Sequence, residues 1–134
     1  MLFRSIVIGT EKILVVDDEP ALLELTVQYL KEYGYDVVSA GHAHMALDIL
    51  KSSPDIRLLL TDVIMPDMNG YQLAKQAQAI NPAIKILLVS GFVGNKIMDE
   101  SYTRYETNIL LKPFRKDVLI KKVREILDKD FLNE

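Results

Sequence analysis

The stretch LLLTDVIMPDMNG, from Leu58 to Gly70, contains the sharpest change of character in this chain. Its first residues are apolar without alternation, which is typical of a parallel strand buried on both faces. The apolar run stops at Asp62, and a proline and a turn ending in glycine follow. Because turn residues mark the end of a strand, the carboxylate of Asp62 is expected at the mouth of a buried strand.

Short apolar runs and segments of helical period alternate on both sides of this stretch. The five predicted strands are Ile13 to Val16, Asp36 to Ser39, Ile56 to Thr61, Ile84 to Val89 and Ile109 to Leu111. The predicted helices lie around Leu23 to Leu30, Ala43 to Leu50, Leu73 to Ile80, Val93 to Tyr105 and Leu119 to Ile126. Helix ends are expected at Gly34, at residues 52–54 and at Asn81.

Strict alternation of apolar strands with helices predicts an α/β fold with a parallel sheet covered by helices on both faces. Right-handed crossovers leave few topologies, and for five strands the common doubly wound order is 2-1-3-4-5. Ligands bind such sheets outside the carboxyl ends of the strands, next to the switch point between the first and third strands. Functional residues are therefore expected at the strand ends.

Composition excludes several classes of function. The length of 134 residues is typical of one domain, and a net charge of −3 offers no basic surface for nucleic acid. The chain has no cysteine, so any metal must be held by oxygen or histidine. The N-terminal run MLFRSIVIGT is too short for a signal peptide, and no later run is long enough to span a membrane. We expect a cytoplasmic protein that binds neither membrane nor nucleic acid.

The strands near the predicted switch point all end in polar residues. These are Asp17 and Asp18 after the first strand, Asp62 after the third, Ser90 after the fourth and Lys112 after the fifth. Three carboxylates at one edge repel one another unless a cation lies between them. Mg²⁺ prefers oxygen ligands and typically binds one or two carboxylates together with phosphate oxygens. We therefore predict a Mg²⁺ site with Asp18 and Asp62 as direct ligands.

A carboxylate can also attack phosphorus and form an aspartyl phosphate. Asp62 is central among the strand ends, so it is predicted to be the phosphoryl acceptor. Ser90 could donate a hydrogen bond to one phosphoryl oxygen, and Lys112 could neutralise another.

The four motifs VVDDEP, LLLTDVIMPDMNG, ILLVSGF and LLKPF, in this order, resemble the receiver domain of two-component response regulators. The resemblance extends from about Glu11 to Lys129 and implies a flavodoxin-like receiver fold. We expect an N-terminal extension at residues 1–10, the receiver domain at 11–130 and a C-terminal tail at 131–134. The chain ends soon after its last predicted helix, so no output domain is expected within it.

The resemblance implies a phosphorylation-activated signalling switch in which Asp62 accepts a phosphoryl group in a Mg²⁺-dependent reaction. The donor would be a sensor histidine kinase or a phosphotransfer protein, with small acyl phosphates as further donors. Such a receiver is not an enzyme in the usual sense, because it catalyses only its own phosphorylation and dephosphorylation.

The resemblance also implies how the metal is held. Asp18 and Asp62 would bind Mg²⁺ directly, Asp17 would act largely through water, and the backbone carbonyl of Ile64 would be a third ligand. Ser90 would then be the switch hydroxyl and Lys112 the phosphate-sensing lysine. A cis peptide bond is implied between Lys112 and Pro113.

Two features set this chain apart from common receivers. Receivers usually carry Tyr or Phe three residues before the lysine, and Ile109 occupies that position here. The aromatic half of the switch is therefore expected to be missing. The segments TDVIMPDMNGYQL and LLVSGF are also similar to receivers attached to hybrid histidine kinases, which suggests an excised or single-domain receiver.

Each candidate has a simpler structural interpretation. Asp17 and Asp18 could cap a helix that begins near Pro20, Ser90 could belong to a turn, and Lys112 could be solvated. His42 and His44 are two residues apart and lie on different sides of a helix, so we predict surface residues and not a metal pair. The basic residues of the last helix indicate a solvated face or a docking surface; they are Arg115, Lys116, Lys121, Lys122 and Arg124.

A metal-dependent phosphohydrolase is the alternative function for the same carboxylates. Haloacid-dehalogenase-like enzymes resemble this sheet but carry a second acid two residues after the nucleophile, where this chain has Ile64. A hydrolase needs that general acid/base, so the signalling switch is preferred. A receiver-like scaffold without phosphorylation would be expected to lack one of the acids or the lysine, and none is missing.

Overall fold

The computed structural model describes residues 9–91 and 108–132, which form a single sheet flanked by helices. Strands and helices alternate in the order β1 (Lys12–Val16), α1 (Pro20–Glu32), β2 (Asp36–Ala40), α2 (Ala43–Ser52), β3 (Ile56–Asp62), α3 (Gly70–Ile80), β4 (Lys85–Ser90), β5 (Ile109–Leu111) and α4 (Lys116–Leu132). The helix predicted from Val93 to Tyr105 lies outside the described residues. The predicted limits of the receiver domain, 11–130, remain a prediction.

The five strands are parallel and lie in the order β2-β1-β3-β4-β5, which confirms the predicted order 2-1-3-4-5. The register pairs Val16 of β1 with Thr61 of β3, and Asp62 of β3 with Val89 of β4. The carboxyl ends of these strands therefore meet at one edge of the sheet. The residues that follow them are brought together by the topology.

Both faces of the sheet are buried, which explains the unbroken apolar run of β3. Leu59 belongs to a core cluster with residues of α2 and α3, whereas Leu58 and Leu60 belong to a cluster with residues of α1 and α4. A strand that alternates between two cores needs apolar side chains at successive positions. Asp62 is the last residue of β3, and its polar side chain lies at the edge of the sheet beyond these apolar clusters.

The helix ends follow the sequence signals. Helix α1 ends at Glu32, and Gly34 has a φ of 96°, a left-handed conformation that glycine adopts without a steric penalty. Helix α3 begins with a capping box in which the side chains of Asn69 and Gln72 each accept the backbone N–H of the other at 2.9 Å. Among residues 9–91 and 108–132, no helix has the length and apolar character needed to cross a bilayer.

Three basic residues in α4 or directly before it form ion pairs within the molecule. Arg115 Nε lies 3.3 Å from Asp117 Oδ1, and Lys116 Nζ lies 2.8 Å from Oε1 of Glu32 in α1. Arg124 is also paired with acids. These ion pairs are compatible with the solvated-face interpretation, and the docking surface remains a prediction.

Arg124 joins the start of β1 to the last helix. Its Nη2 donates to Glu11 Oε2 at 2.6 Å, and its Nε donates to Asp128 Oδ2 at 3.1 Å. Its Nη1 also donates to the hydroxyl of Tyr35 at 3.2 Å. The hydrogen bond from Arg124 lowers the pKa of the Glu11 carboxyl below its ordinary value, against the opposing effect of partial burial.

Replacing Arg124 by methionine is expected to lower the free energy of unfolding at pH 7 by about 1–3 kcal/mol, because charged hydrogen bonds are lost. The folded-state pKa of Glu11 is lowered, so its stabilisation is complete above its ordinary pKa and disappears as the pH falls through the folded value. The difference between wild type and Arg124→Met should therefore shrink below about pH 4. Urea denaturation at several pH values measures it.

Arg115→Met is the matched control, since the Arg115 side chain is 82% exposed and its pair with Asp117 is a surface pair. Such pairs contribute about 0–1 kcal/mol, so this variant should unfold nearly like wild type. Equal destabilisation by the two substitutions at pH 7 would contradict the role given to Arg124.

Candidate functional site

Three carboxylates meet at the carboxyl edge of the sheet. Asp17 and Asp18 follow β1 directly, and Asp62 is the last residue of β3. One side-chain oxygen from each lies within 4.8 Å of the other two. Asp17 and Asp62 are buried whereas Asp18 is exposed, so the cluster opens to solvent on one side.

The lysine after β5 reaches into this cluster. Lys112 Nζ lies 3.3 Å from Oδ2 of Asp62 and 3.6 Å from Oδ2 of Asp17, and its side chain is only 17% exposed. Its backbone N–H donates to the carbonyl of Ser90 at 2.9 Å, which ties it to the end of β4. The Lys112–Pro113 bond is cis, which confirms that prediction. The interpretation of Lys112 as a solvated lysine is wrong, because its ammonium contacts two carboxylates.

The cluster has unbalanced negative charge. At their formal charges, three carboxylates and one ammonium leave an excess of two negative charges. Burial is the largest effect on Asp62 and raises the pKa of its carboxyl; Lys112 opposes this effect, and Asp17 and Asp18 add to it. An oxygen-only donor set that is open to water on one side suits a hard divalent cation such as Mg²⁺.

Asp17 has a second function in the turn that leads to α1. Its Oδ1 accepts the backbone N–H of Glu19 at 2.9 Å, while its Oδ2 faces Lys112. Helix α1 begins at Pro20 with Glu19 at the N-cap, and the Glu19 side chain makes no capping hydrogen bond. Asp17 therefore supports the turn before the helix without being its N-cap, and it can do so as a member of the acidic cluster.

The other predicted site residues lie at or near the same edge. Ser90 is the buried last residue of β4 and follows Val89, the register partner of Asp62. Ile64 lies in the loop after β3 and is 53% exposed, so it is not part of the hydrophobic core. Ile109 is half-buried at the start of β5 and packs against the core on the α2 and α3 side. The functional roles of these residues remain predictions.

Thr61 and Gly70 both lie against the backbone carbonyl of Asp62, and neither is predicted from the sequence as a site residue. Thr61 is completely buried, and its hydroxyl donates to the carbonyl oxygen of Asp62 at 3.0 Å. A Cβ added to Gly70 would overlap that same oxygen and lie 3.0 Å from the Cα of Val63. The available signals were the single hydroxyl in the run LLLTD and the glycine at the end of the turn.

Neither histidine belongs to this site. His42 and His44 are exposed, as predicted. His42 is the N-cap of α2, where its Nδ1 accepts the backbone N–H of Met45 at 3.2 Å. A capping function accounts for His42 without a metal.

Comparisons with known proteins agree with the geometry. The model of the response regulator receiver domain family matches residues 13–124. The chain is 31% identical over 117 residues to the response regulator receiver protein CpdR of Brucella abortus strain 2308, covering 87% of this chain and 97% of that protein. It is also 30% identical over 122 residues to the sensor kinase CckA of the same strain, covering 90% of this chain but 13% of the kinase.

A solved structure gives the same result. The crystal structure of a CheY-like response regulator receiver domain protein from Methanospirillum hungatei JF-1 superposes with a TM-score of 0.80. It is 28% identical to this chain and covers 94% of it and all of the other chain. The described sheet order therefore agrees with the fold of a solved receiver structure and with the matched family model.

Proposed function

The chain belongs to the response regulator receiver domain family of two-component systems, and on this premise we propose that it is a signalling switch phosphorylated on Asp62. The observation that supports this proposal most strongly is the buried Asp62 carboxylate, with Lys112 Nζ 3.3 Å away and two further acids beside it. A carboxylate with an ammonium beside it at the strand end, where doubly wound folds bind ligands, supports the proposal that Asp62 is the nucleophile.

In the proposed reaction an oxygen of Asp62 attacks phosphorus, and a new O–P bond forms. The bond that breaks is P–N in a phosphohistidine donor or P–O in an acyl phosphate donor. The imidazole leaves with a proton taken from solvent, whereas the acyl group leaves as a carboxylate.

Asp17, Asp18 and Asp62 have the donor atoms to hold Mg²⁺, with the carbonyl of Ile64 as the further ligand that the family resemblance implies. A bound Mg²⁺ supplies positive charge against the carboxylates and the phosphoryl oxygens. Lys112 is already beside Asp62, so its ammonium would stabilise a phosphoryl oxygen attached there. Ser90 would donate its hydroxyl to another.

The partners we propose are a sensor histidine kinase or a phosphotransfer protein, with small acyl phosphates as direct donors. The similarity to part of the sensor kinase CckA supports a kinase-linked phosphorelay. The net charge of −3 supports the absence of direct nucleic-acid binding. We propose no membrane contact and a cytoplasmic location.

A phosphohydrolase remains the less favoured function. Its general acid/base would stand two residues after Asp62, and that position is Ile64, whose side chain cannot transfer a proton. We therefore propose that the chain catalyses its own phosphorylation and dephosphorylation and no other reaction.

Incubation with acetyl phosphate and Mg²⁺ tests the proposal directly. Intact-mass spectrometry should show one added phosphoryl group on the wild-type chain, and none when EDTA replaces Mg²⁺. A wild-type chain that gained no phosphoryl group from acetyl phosphate or from a phosphohistidine donor would overturn the proposed function.

Lys112→Ala tests the contribution of the lysine separately from that of the metal ligands. Loss of its ammonium should slow phosphorylation by acetyl phosphate about a hundredfold, as for other charge-stabilising donors. Mg²⁺ affinity should be unchanged or higher, because Lys112 is a positive charge beside the acids. Rates are followed by intact mass and affinity by calorimetry.

The control is Lys75→Ala, which removes an exposed lysine of α3 and should phosphorylate like wild type. A rate for Lys112→Ala within about twofold of the Lys75→Ala rate would refute the role proposed for Lys112.

A further inference from the structure

Thr61 places a hydroxyl directly after the apolar run Leu58 to Leu60 of β3. Its side chain is completely buried, between leucines on one side along β3 and Asp62 on the other. Its hydroxyl donates to the carbonyl oxygen of Asp62 at 3.0 Å and lies 4.0 Å from the Sδ of Met65. Burial of a hydroxyl costs free energy unless it is hydrogen-bonded, so an apolar residue would suit a purely structural position at least as well.

The hydroxyl acts on the peptide group that follows the proposed nucleophile. The next N–H, of Val63, donates to the carbonyl of Val89 at 3.0 Å. The carbonyl of Val63 accepts the N–H of Gly70 at 2.8 Å. Thr61 donates to the carbonyl of Asp62. Three successive polar groups of the backbone, from the end of β3 into the loop, are therefore hydrogen-bonded.

This restraint reaches the reacting group because the Asp62 carboxylate is attached to the same backbone. The Asp62 side chain has few rotatable bonds, so a shift of the Asp62 Cα would move the carboxylate relative to Lys112 Nζ, 3.3 Å away, and the hydrogen bond from Thr61 to the adjoining carbonyl restrains such a shift. A small misplacement of a reacting atom can slow a reaction greatly even when binding is preserved.

We propose that Thr61 is a positioning residue for phosphoryl transfer, whose hydroxyl holds the peptide after Asp62 so that its carboxylate faces Lys112 and the incoming phosphorus. The proposal rests on the proposed function of Asp62. It assigns to Thr61 no contact with the phosphoryl group, the donor or a metal.

Thr61→Val removes the hydroxyl at nearly constant shape, and Thr61→Ser retains it. The matched control is Thr26→Val, because Thr26 is also buried and its hydroxyl donates to a backbone carbonyl, that of Leu22, at 2.9 Å within α1. Both Thr→Val substitutions remove a buried hydroxyl that donates to a backbone carbonyl, so their effects on the free energy of unfolding should be similar. Effects of general destabilisation are thereby separated from effects on the site.

At saturating Mg²⁺, Thr61→Val should lower the maximal rate of phosphorylation by acetyl phosphate about tenfold with little change in KM. Thr61→Ser should restore the rate to within about twofold of wild type, and Thr26→Val should not differ from wild type by more than that. A maximal rate of Thr61→Val equal to that of Thr26→Val would overturn the proposal. So would a Thr61→Ser variant as slow as Thr61→Val.

A second readout needs neither metal nor phosphorylation. In Mg²⁺-free protein the backbone carbonyl ¹³C signal of Asp62 should move upfield in Thr61→Val, because a hydrogen bond to that oxygen is lost, and should return in Thr61→Ser. An unchanged signal would overturn the proposal. If the wild type were not phosphorylated at all, the proposed function and this inference would both fail, whereas a slow Thr61→Ser beside an active wild type removes this inference alone.

Discussion

Asp62→Asn is expected to abolish phosphoryl incorporation from acetyl phosphate in the presence of Mg²⁺. An amide is a far poorer nucleophile than a carboxylate, and Asp62 lies nearer Lys112 Nζ, at 3.3 Å, than Asp17 does, at 3.6 Å. The substitution should not unfold the protein. Burial disfavours the ionised form of Asp62 and raises its pKa, so a neutral side chain should leave the metal-free fold equally or more stable at pH 7.

Asp67→Asn is the control for Asp62→Asn, because it makes the same chemical change five residues later, in the loop that follows β3. Asp67 has a φ of 70°, a left-handed conformation that asparagine also adopts readily. This variant should incorporate one phosphoryl group like wild type. Intact-mass spectrometry gives the number of groups, and hydroxylamine identifies an acyl phosphate by releasing it. A hydroxylamine-sensitive group on Asp62→Asn would show that the nucleophile has been assigned wrongly.

Gly70→Ala is expected to disturb the backbone of β3 although it adds only one methyl group. Alanine at the start of a helix normally stabilises it relative to glycine. Here the added Cβ would overlap the carbonyl oxygen of Asp62 and lie 3.0 Å from the Cα of Val63. These are backbone atoms of β3 and its loop, so they cannot move aside as a flexible side chain can.

We expect Gly70→Ala to lower the free energy of unfolding by about 1–3 kcal/mol, the usual cost of overpacking. It should also slow phosphorylation, because the displaced carbonyl belongs to the proposed nucleophile. Gly41→Ala is the control, since a Cβ there meets no atom within 4 Å. Urea denaturation measures the free energy of unfolding of both variants. Equal stability of Gly70→Ala and Gly41→Ala would contradict the steric argument.

Much of the fold could be predicted because strands and helices leave different patterns of apolar residues in the sequence. Apolar runs such as Leu58 to Leu60 marked a strand buried on both faces, and helical spacing marked the segments between strands. The predicted strands agree with the described strands to within one residue at either end. Strand order followed as well, because right-handed crossovers leave a five-stranded parallel sheet few arrangements.

The membership of the site was predictable for the same reason. Asp17, Asp62 and Ser90 each stand where an apolar strand runs out, and the carboxyl ends of neighbouring parallel strands share an edge. Topology alone therefore predicts that these residues are neighbours. It does not predict which atoms touch.

Only the tertiary structure decided the contacts between residues that are distant in sequence, or whose backbone positions depend on packing. Arg124 and Glu11 are 113 residues apart, and no local pattern pairs them. The position of Lys112 after β5 predicts a site residue. Its contacts with Asp62 and Asp17, however, depend on how β5 lies against β4. Thr61 and Gly70 meet at one carbonyl oxygen because the loop after β3 folds back on the strand. Periodicity reports which face of an element is buried, whereas distances of 3 Å are set by packing of whole elements in three dimensions.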